Sequence, residues 1–285
     1  MNYYVIIPAH NEAGFLEKML ESLVHQTLLP AKVLIVNDNS TDNTGEIIDS
    51  FRSRYGFIDK HDIISSKAHL PGSKVINAFN QGLALVDDNY EFIVKLDADL
   101  ILPPNYFEKI AALFSGDPEI GIAGGFVYEL DGNGKWALNH PMNKNHVRGA
   151  FKAYRKKCFQ QIGGLKVSIG WDTVDELLAL YHGFKIHTED SLKVKHLRPT
   201  GKSYAKKARY LQGEAMFKMR YGFLISLIAS AKMAIAQKKL HVFWNTFYGF
   251  IKAYFSKKNY IVSTSEGKFI RNYRKKGIFE KLVKF

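Results

Sequence analysis

The chain has 285 residues, 46% hydrophobic and 24% charged, with 22 Gly, 8 Pro and no low-complexity tract, which excludes disorder as its main state. Forty Lys and Arg against 27 Asp and Glu leave +13, unevenly placed: residues 1–200 hold 21 basic and 24 acidic groups, residues 201–285 hold 19 and 3. A single cysteine, Cys158, excludes an internal disulfide and a cysteine-rich zinc site.

The opening Met1-Asn2-Tyr3-Tyr4-Val5-Ile6-Ile7-Pro8 has no basic leader region, so nothing there marks the chain for export. Tyr3 to Ile7 and Lys32 to Val36 are short β-rich runs. Between them Leu16, Met19, Leu20, Leu23 and Val24 recur at helical spacing, giving a β-α-β unit. A second helix is expected after Ser40-Thr41-Asp42, with Thr44, Ile47, Ile48 and Phe51 on one side and Ser or Asp as its cap. A strand at Asp62 to Ser65, a helix at Ser73 to Val86 and a strand at Phe92 to Leu96 continue the alternation. Strands alternating with helices imply an α/β fold, a Rossmann-like, mainly parallel sheet flanked by helices.

In such a sheet ligands lie beyond the carboxyl ends of the strands. Three polar clusters fall there: Pro8-Ala9-His10-Asn11-Glu12, Asn37-Asp38-Asn39-Ser40 and Asp97-Ala98-Asp99. Asp97 and Asp99 are two apart, so a persisting strand points both carboxylates one way, a pair suited to Mg2+ or Mn2+. A D-x-D read alone is equally a solvated turn before Pro103-Pro104.

Taken together, V-I-I-P-A-H-N-E at Val5 to Glu12, V-N-D-N-S-T-D-N-T at Val36 to Thr44, A-F-N-Q-G at Ala78 to Gly82 and L-D-A-D at Leu96 to Asp99 resemble the family-2 glycosyltransferases of the GT-A fold, over about residues 1–200. The resemblance implies a nucleotide-sugar donor, such as a UDP- or GDP-sugar, and a divalent metal. It carries base and ribose contacts to Pro8, His10, Glu12 and Asp38, and the D-x-D role to Asp97 and Asp99. A fixed cation would act where charge grows on the leaving diphosphate. Lys74 stands open between a second phosphate contact and a solvated residue at a helix start.

Gly163-Gly164-Leu165 followed by Gly170-Trp171-Asp172-Thr173-Val174-Asp175-Glu176 resembles the family's acceptor half, which makes Asp172 the candidate base of an inverting transfer. The family's usual Glu-Asp is Trp171-Asp172 here, so Asp175 is the alternative base, and Asp172 as a helix cap is the structural alternative. His196 resembles the late-strand histidine that completes the metal site in relatives; an ordinary core or surface histidine is the other reading. Arg155 and Arg198 are structural or acceptor-side cations, a choice left open.

From Ala205 onward, apolar clusters such as Tyr221 to Ile228 and Val242 to Phe255 alternate with Lys and Arg, giving two or three basic amphipathic helices. The expected division is a catalytic domain at 1–204 and this region at 205–285. The stretch Tyr221 to Ala231 is 11 residues and ends at Lys232, short of the roughly 20 that span a bilayer. The profile fits an anionic membrane surface, hence a cytoplasmic protein held peripherally on the inner face of the cell membrane, with no specific nucleic acid as partner. The expected acceptor is a lipid-linked or glycan hydroxyl in cell-surface polysaccharide synthesis. A GT-A-like membrane- or nucleic-acid-binding protein that has lost transfer and a sugar nucleotidyltransferase are the competing readings; the latter's Gly-rich N-terminal loop is missing.

Overall fold

The computed structural model describes residues 1–65, 72–138, 145–198 and 210–282. The chain divides into two compact units. The first comprises Met1–His69, Ser73–Leu165 and His182–Thr200; the second comprises Leu70–Gly72, Lys166–Tyr181 and Gly201–Phe285. The expected division at 204/205 falls outside the described residues, and the second unit also takes in the helix that carries Asp172.

The first unit starts with β1 (Tyr3–Ala9), α1 (Leu16–Val24), β2 (Lys32–Asp38), α2 (Thr44–Arg54), β3 (Ile58–Ile63), α3 (Ser73–Leu83) and β4 (Phe92–Leu96). β3, β2, β1 and β4 lie side by side in parallel, with Ile6 opposite Leu34 and Lys95. β1 is covered on both faces, so it reads as a continuous apolar run. On one face Tyr3 stacks on Phe92, with ring centres 4.7 Å apart, and Phe107 and Phe114 of α4 (Tyr106–Gly116) close over them. α1 turns Leu16, Met19, Leu20 and Leu23 inward, as their spacing requires.

Two boundaries differ from expectation. The third strand is Ile58–Ile63 rather than Asp62–Ser65, because this edge strand buries only Ile58 and Ile63 fully and shows polar side chains between them. The helix from Ser73 ends at Leu83 rather than Val86; Leu85 and Val86 donate to Gly82 and Leu83, three residues back, so the last turn tightens out of the α form.

Beyond β4 the sheet becomes mixed. β8 (Phe151–Arg155) pairs antiparallel with β4 and with β6 (Ile120–Leu130), and β7 (Trp136–Leu138) extends β6 as an antiparallel partner. β9 (Lys185–His196) runs parallel to β6, and its last residues pair with β5 (Leu100–Ile101), the short strand after the D-x-D. α5 (Lys156–Gln161) follows β8 directly.

The second unit contains α6 (Trp171–Tyr181), α7 (Leu211–Lys218), α8 (Phe223–Gln237), α9 (Leu240–Phe255) and α10 (Thr264–Leu282). The described basic region thus holds four helices, where two or three were expected. α7 and α9 touch through glycine: a Cβ on Gly213 would lie 1.8 Å from the Thr246 carbonyl, and one on Gly249 would lie 2.0 Å from the Tyr210 carbonyl. No described helix is long and apolar enough to cross a membrane.

Candidate active site

Parallel strands deliver the loops after β1, β2 and β4 to one edge of the sheet. Pro8 is still on β1, opposite Val36. The loop that follows is tied to the next: Asn11 N–H donates to Ser40 Oγ (3.0 Å), Thr41 N–H to Asn11 Oδ1 (2.7 Å) and Glu12 N–H to Thr44 Oγ1 (2.8 Å). Asn11 and Asn39 take the left-handed conformation, with φ of 54° and 51°, which asparagine tolerates better than most residues. His10 Nδ1 lies 2.6 Å from the Asp38 carbonyl oxygen. A carbonyl only accepts, so this nitrogen carries the proton.

Asp38 is buried at the end of β2, and its two oxygens accept from Ser65 N–H (2.9 Å) and Ser65 Oγ (2.7 Å). Sequence reasoning gave Ser65 no such role; nothing local in the sequence signals it. The cap position of α2 is Asn43, which makes no side-chain cap bond, rather than the expected Ser or Asp; Asp42, one residue earlier, accepts from Thr44 N–H at 3.1 Å. Lys74 stands half-buried in the first turn of α3.

The D-x-D sits between two strands. Asp97 N–H donates to the Ala150 carbonyl (2.7 Å) and Leu197 N–H donates to the Asp99 carbonyl (2.8 Å). The second bond continues the β5–β9 ladder, in which Leu100 faces His196. His196 Nε2 thereby comes 3.3 Å from Asp99 Oδ1, and its Nδ1 lies 3.5 Å from Glu129 Oε1. Burial raises the Asp99 carboxyl, but His196 and Arg198 outweigh it and hold the group below its ordinary value. Burial lowers His196, and Asp99 outweighs that in turn, so its pKa is raised.

Asp97 behaves differently. Its carboxylate is turned onto the ammonium of Lys95, which also donates to the Gly149 carbonyl at 3.0 Å. Burial raises the Asp97 carboxyl, with Lys95 opposing. Lys95 was missed in the sequence, although a lysine inside the apolar run Phe92 to Leu96 is a legible signal of a buried cation with a purpose.

Arg198 resolves to the site. It pairs with Glu12 Oε2 (2.5 Å), reaches Asp99 Oδ2 (3.7 Å) and lies over the Phe15 ring. Glu12 is pushed up to about 7, chiefly by burial, with Arg198 opposing and Asp99 adding to the rise. Arg155 is structural: Nε donates to the Ile120 carbonyl (2.8 Å) and Nη2 to those of Phe114 and Asp117.

The expected metal ligands are not gathered as a set of three; among the described residues no three His, Cys, Asp or Glu groups form a metal site. Two of them fit a cation. Neighbouring donors on an octahedral ion with bonds of about 2.1 Å lie about 3.0 Å apart, close to the 3.3 Å between Asp99 and His196. Carboxylate plus imidazole suits Mn2+, and an ion held by few protein groups keeps positions for water and phosphate oxygens.

In the second unit, Asp172 lies within the first turn of α6, one residue past the first helical position, rather than at its cap. Thr173 and Val174 donate to Gly170 O at 3.0 Å, and Gly170 has φ of 76°. Asp175, one turn on, is buried and accepts from Glu176 N–H at 2.6 Å.

Comparison with known proteins decides the family. Residues 4–168 match glycosyl transferase family 2. The chain belongs to that family. The matched stretch contains the strand-end loops after β1, β2 and β4. Curated relatives include "Probable glycosyltransferase YdaM" of Bacillus subtilis, 33% identical over 39% of this chain and 24% of the relative. Another is the chondroitin synthase of Pasteurella multocida, 33% identical over 40% of this chain and 11% of the relative. The chain thus spans less than half the length of these relatives. Among solved structures, Staphylococcus aureus TarS 1–349 in complex with UDP-GlcNAc has a TM-score of 0.59 at 18% identity, covering 77% of this chain and 65% of that one. The mannosyltransferase PcManGT of Pyrobaculum calidifontis, in complex with GDP-Man and Mn2+, has 0.55 at 17% identity, covering 89% and 69%. At such identities the likeness is one of fold, and the fold is GT-A.

Proposed function

We propose that this family-2 glycosyltransferase moves a sugar, with inversion, from a UDP- or GDP-sugar to a hydroxyl of a lipid-linked or glycan acceptor, in a metal-dependent reaction at a membrane surface. The observation that carries the reading is Asp99 beside His196 and Arg198, at the strand ends where the family's donor loops converge. TarS holds UDP-GlcNAc in one structure and PcManGT holds GDP-Man with Mn2+ in another, which supports a nucleotide-sugar donor and a divalent ion. Chondroitin synthase and poly-beta-1,6-N-acetyl-D-glucosamine synthase among the relatives support a glycan product.

In this reading Pro8, His10, Glu12 and Asp38 form the base and ribose end of the donor site. Asp97 is held by Lys95 and borders the sugar-diphosphate, to which Lys74 adds a cation. Asp99 and His196 would hold the Mn2+ or Mg2+, which when bound would offset charge on the diphosphate. Arg198 is a fixed second cation.

Asp172 is the base. The acceptor oxygen bonds to the anomeric carbon, its proton passes to the Asp172 carboxylate, and the bond from that carbon to the diphosphate oxygen breaks with its electron pair leaving on the nucleoside diphosphate. Asp175 is the poorer candidate, because its side chain is buried whereas Asp172 is partly exposed.

The test is nucleoside diphosphate release from UDP- and GDP-sugars with Mn2+. Asp99→Asn and Asp172→Asn are each expected to slow release about 10²- to 10³-fold, the scale of a lost transition-state electrostatic contact. Wild-type rates in both variants would overturn the assignments. Pyrophosphate as the product would favour the nucleotidyltransferase reading instead.

A further inference from the structure

α8 and α9 fold back on one another across Lys238 and Lys239. Each buries a line of small residues, Ser226, Ser230 and Ala234 on α8 and Thr246, Gly249 and Ala253 on α9. The opposite sides are apolar and open. Leu224, Ile228 and Ile235 share one side of α8; Leu240, Trp244, Tyr248 and Phe255 share one side of α9. Trp244 is 63% exposed, and Ile235 and Phe255 are 76% exposed. Continuous exposure of large apolar groups marks a contact surface.

Cations frame these stripes. Exposed Lys238 and Lys239 precede α9 and exposed Lys257 and Lys258 follow it, while no Asp or Glu occurs between Glu214 and Glu266. The arginines nearby are spent internally: Arg220 lies 3.6 Å over the Tyr260 ring, Arg271 donates to the Arg220 carbonyl and Arg274 to the Tyr221 hydroxyl.

We infer that the α8–α9 hairpin is the membrane-docking element, lying flat in the headgroup boundary of an anionic phospholipid bilayer with its apolar stripes toward the acyl chains. The inference deepens the membrane association proposed above and rests on it. Lysines at both ends of α9, whose 16 residues span about 24 Å, favour a helix parallel to the surface over one that enters end-on. A second copy of the chain is the weaker occupant, because a two-fold contact would set these lysines against their equivalents without an intervening acid.

The experiment is flotation of the full chain with phosphatidylcholine vesicles, with and without phosphatidylglycerol, while tryptophan emission is followed. Wild type is expected to float with the anionic vesicles and to shift to the blue, and Trp244→Phe to float without most of that shift. Lys238→Gln with Lys239→Gln is expected to weaken binding roughly 20- to 30-fold, about fivefold per lysine. Ile235→Ser with Phe255→Ser is expected to abolish flotation while circular dichroism and release of nucleoside diphosphate in solution stay unchanged, since the exposed residues support neither fold nor chemistry. Flotation unaffected by both double variants would overturn the inference. So would a wild-type dimer that ignores vesicles and is split by Ile235→Ser with Phe255→Ser. Absent turnover in a wild type that floats would instead count against the transferase reading alone.

Discussion

Lys95 carries a charge into the middle of a central strand, where its side chain is 2% exposed and that of its partner Asp97 is 32% exposed. A buried ion pair that loses one member leaves the other desolvated without compensation; partial access to water at Asp97 brings the expected cost to about 2 kcal/mol, below the range for fully buried pairs. Lys95→Met should therefore lower the urea unfolding free energy by about that amount, and adding Asp97→Asn should restore most of it. Strict additivity of the two changes would show the pair to be uncoupled. A second residue-scale effect lies at the opposite end of the sheet. The Tyr4 hydroxyl donates to Asp87 Oδ1 at 2.6 Å and, with Asn89 N–H and Lys32, holds that carboxyl down at about 2. A group depressed on folding stabilises the native state above its unfolded pKa of about 3.9 and loses that contribution as pH falls toward its folded value. Tyr4→Phe should flatten the fall in urea midpoint between about pH 5 and pH 2. An unchanged slope would remove Tyr4 as the main cause. The second pair does not show in the sequence, because the pairing of β1 with β4 brings the connection before β4, and Asp87 with it, to Tyr4.

At the scale of elements, the parallel half of the sheet was legible because β1, β2 and β4 are apolar runs and α1 carries its apolar residues at helical spacing. β3 was misplaced because an edge strand need not look apolar, and of the mixed half only the late strand around His196 was read, through resemblance: the pairing of β8 with β4 and the bulged ladder of β6 with β9 are long-range choices with no local signature. The site divides the same way. The D-x-D was plain in the sequence, and His196 came only from family resemblance, since what brings it to Asp99 is the short β5–β9 ladder. The A-F-N-Q-G segment gains a physical reason from packing. A Cβ on Gly82 would fall 2.7 Å from Val36 Cγ2 and 2.9 Å from Ile6 Cγ2, two stiff β-branched side chains with no room to turn. Gly82→Ala should cost about 1–3 kcal/mol in urea unfolding by pushing α3 off β1 and β2. A neutral result would mean that the helix shifts freely. Gly249→Ala is expected to cost more, since its neighbour is the Tyr210 backbone rather than a side chain.

Across the whole molecule, charge is divided against the apparent needs of the chemistry. Residues 1–200 carry net −3, yet they hold the loops proposed to receive an anionic diphosphate, while the net +16 lies in residues 201–285. On the proposed function, the average field of residues 1–200 does not draw the donor in, and the local cations that would do so are Arg198 and an ion that Asp99 and His196 would hold. Removing divalent ions with EDTA should weaken nucleoside diphosphate binding by tenfold or more, read by calorimetry, and Mn2+ should restore it, whereas affinity indifferent to EDTA would leave Arg198 as the main diphosphate partner. The basic half should discriminate between polyanions by what else they offer. Duplex DNA offers phosphates alone, so its affinity should fall about 10³- to 10⁵-fold between about 50 and 200 mM salt if six to ten phosphates are engaged. In the proposed docking, anionic vesicles also take up the stripe around Trp244, a contribution that salt does not screen, so binding to them should outlast binding to DNA as salt is raised. Parallel salt curves for the two would mean that charge alone drives the attraction, and the exposed aromatic residues would then need another partner.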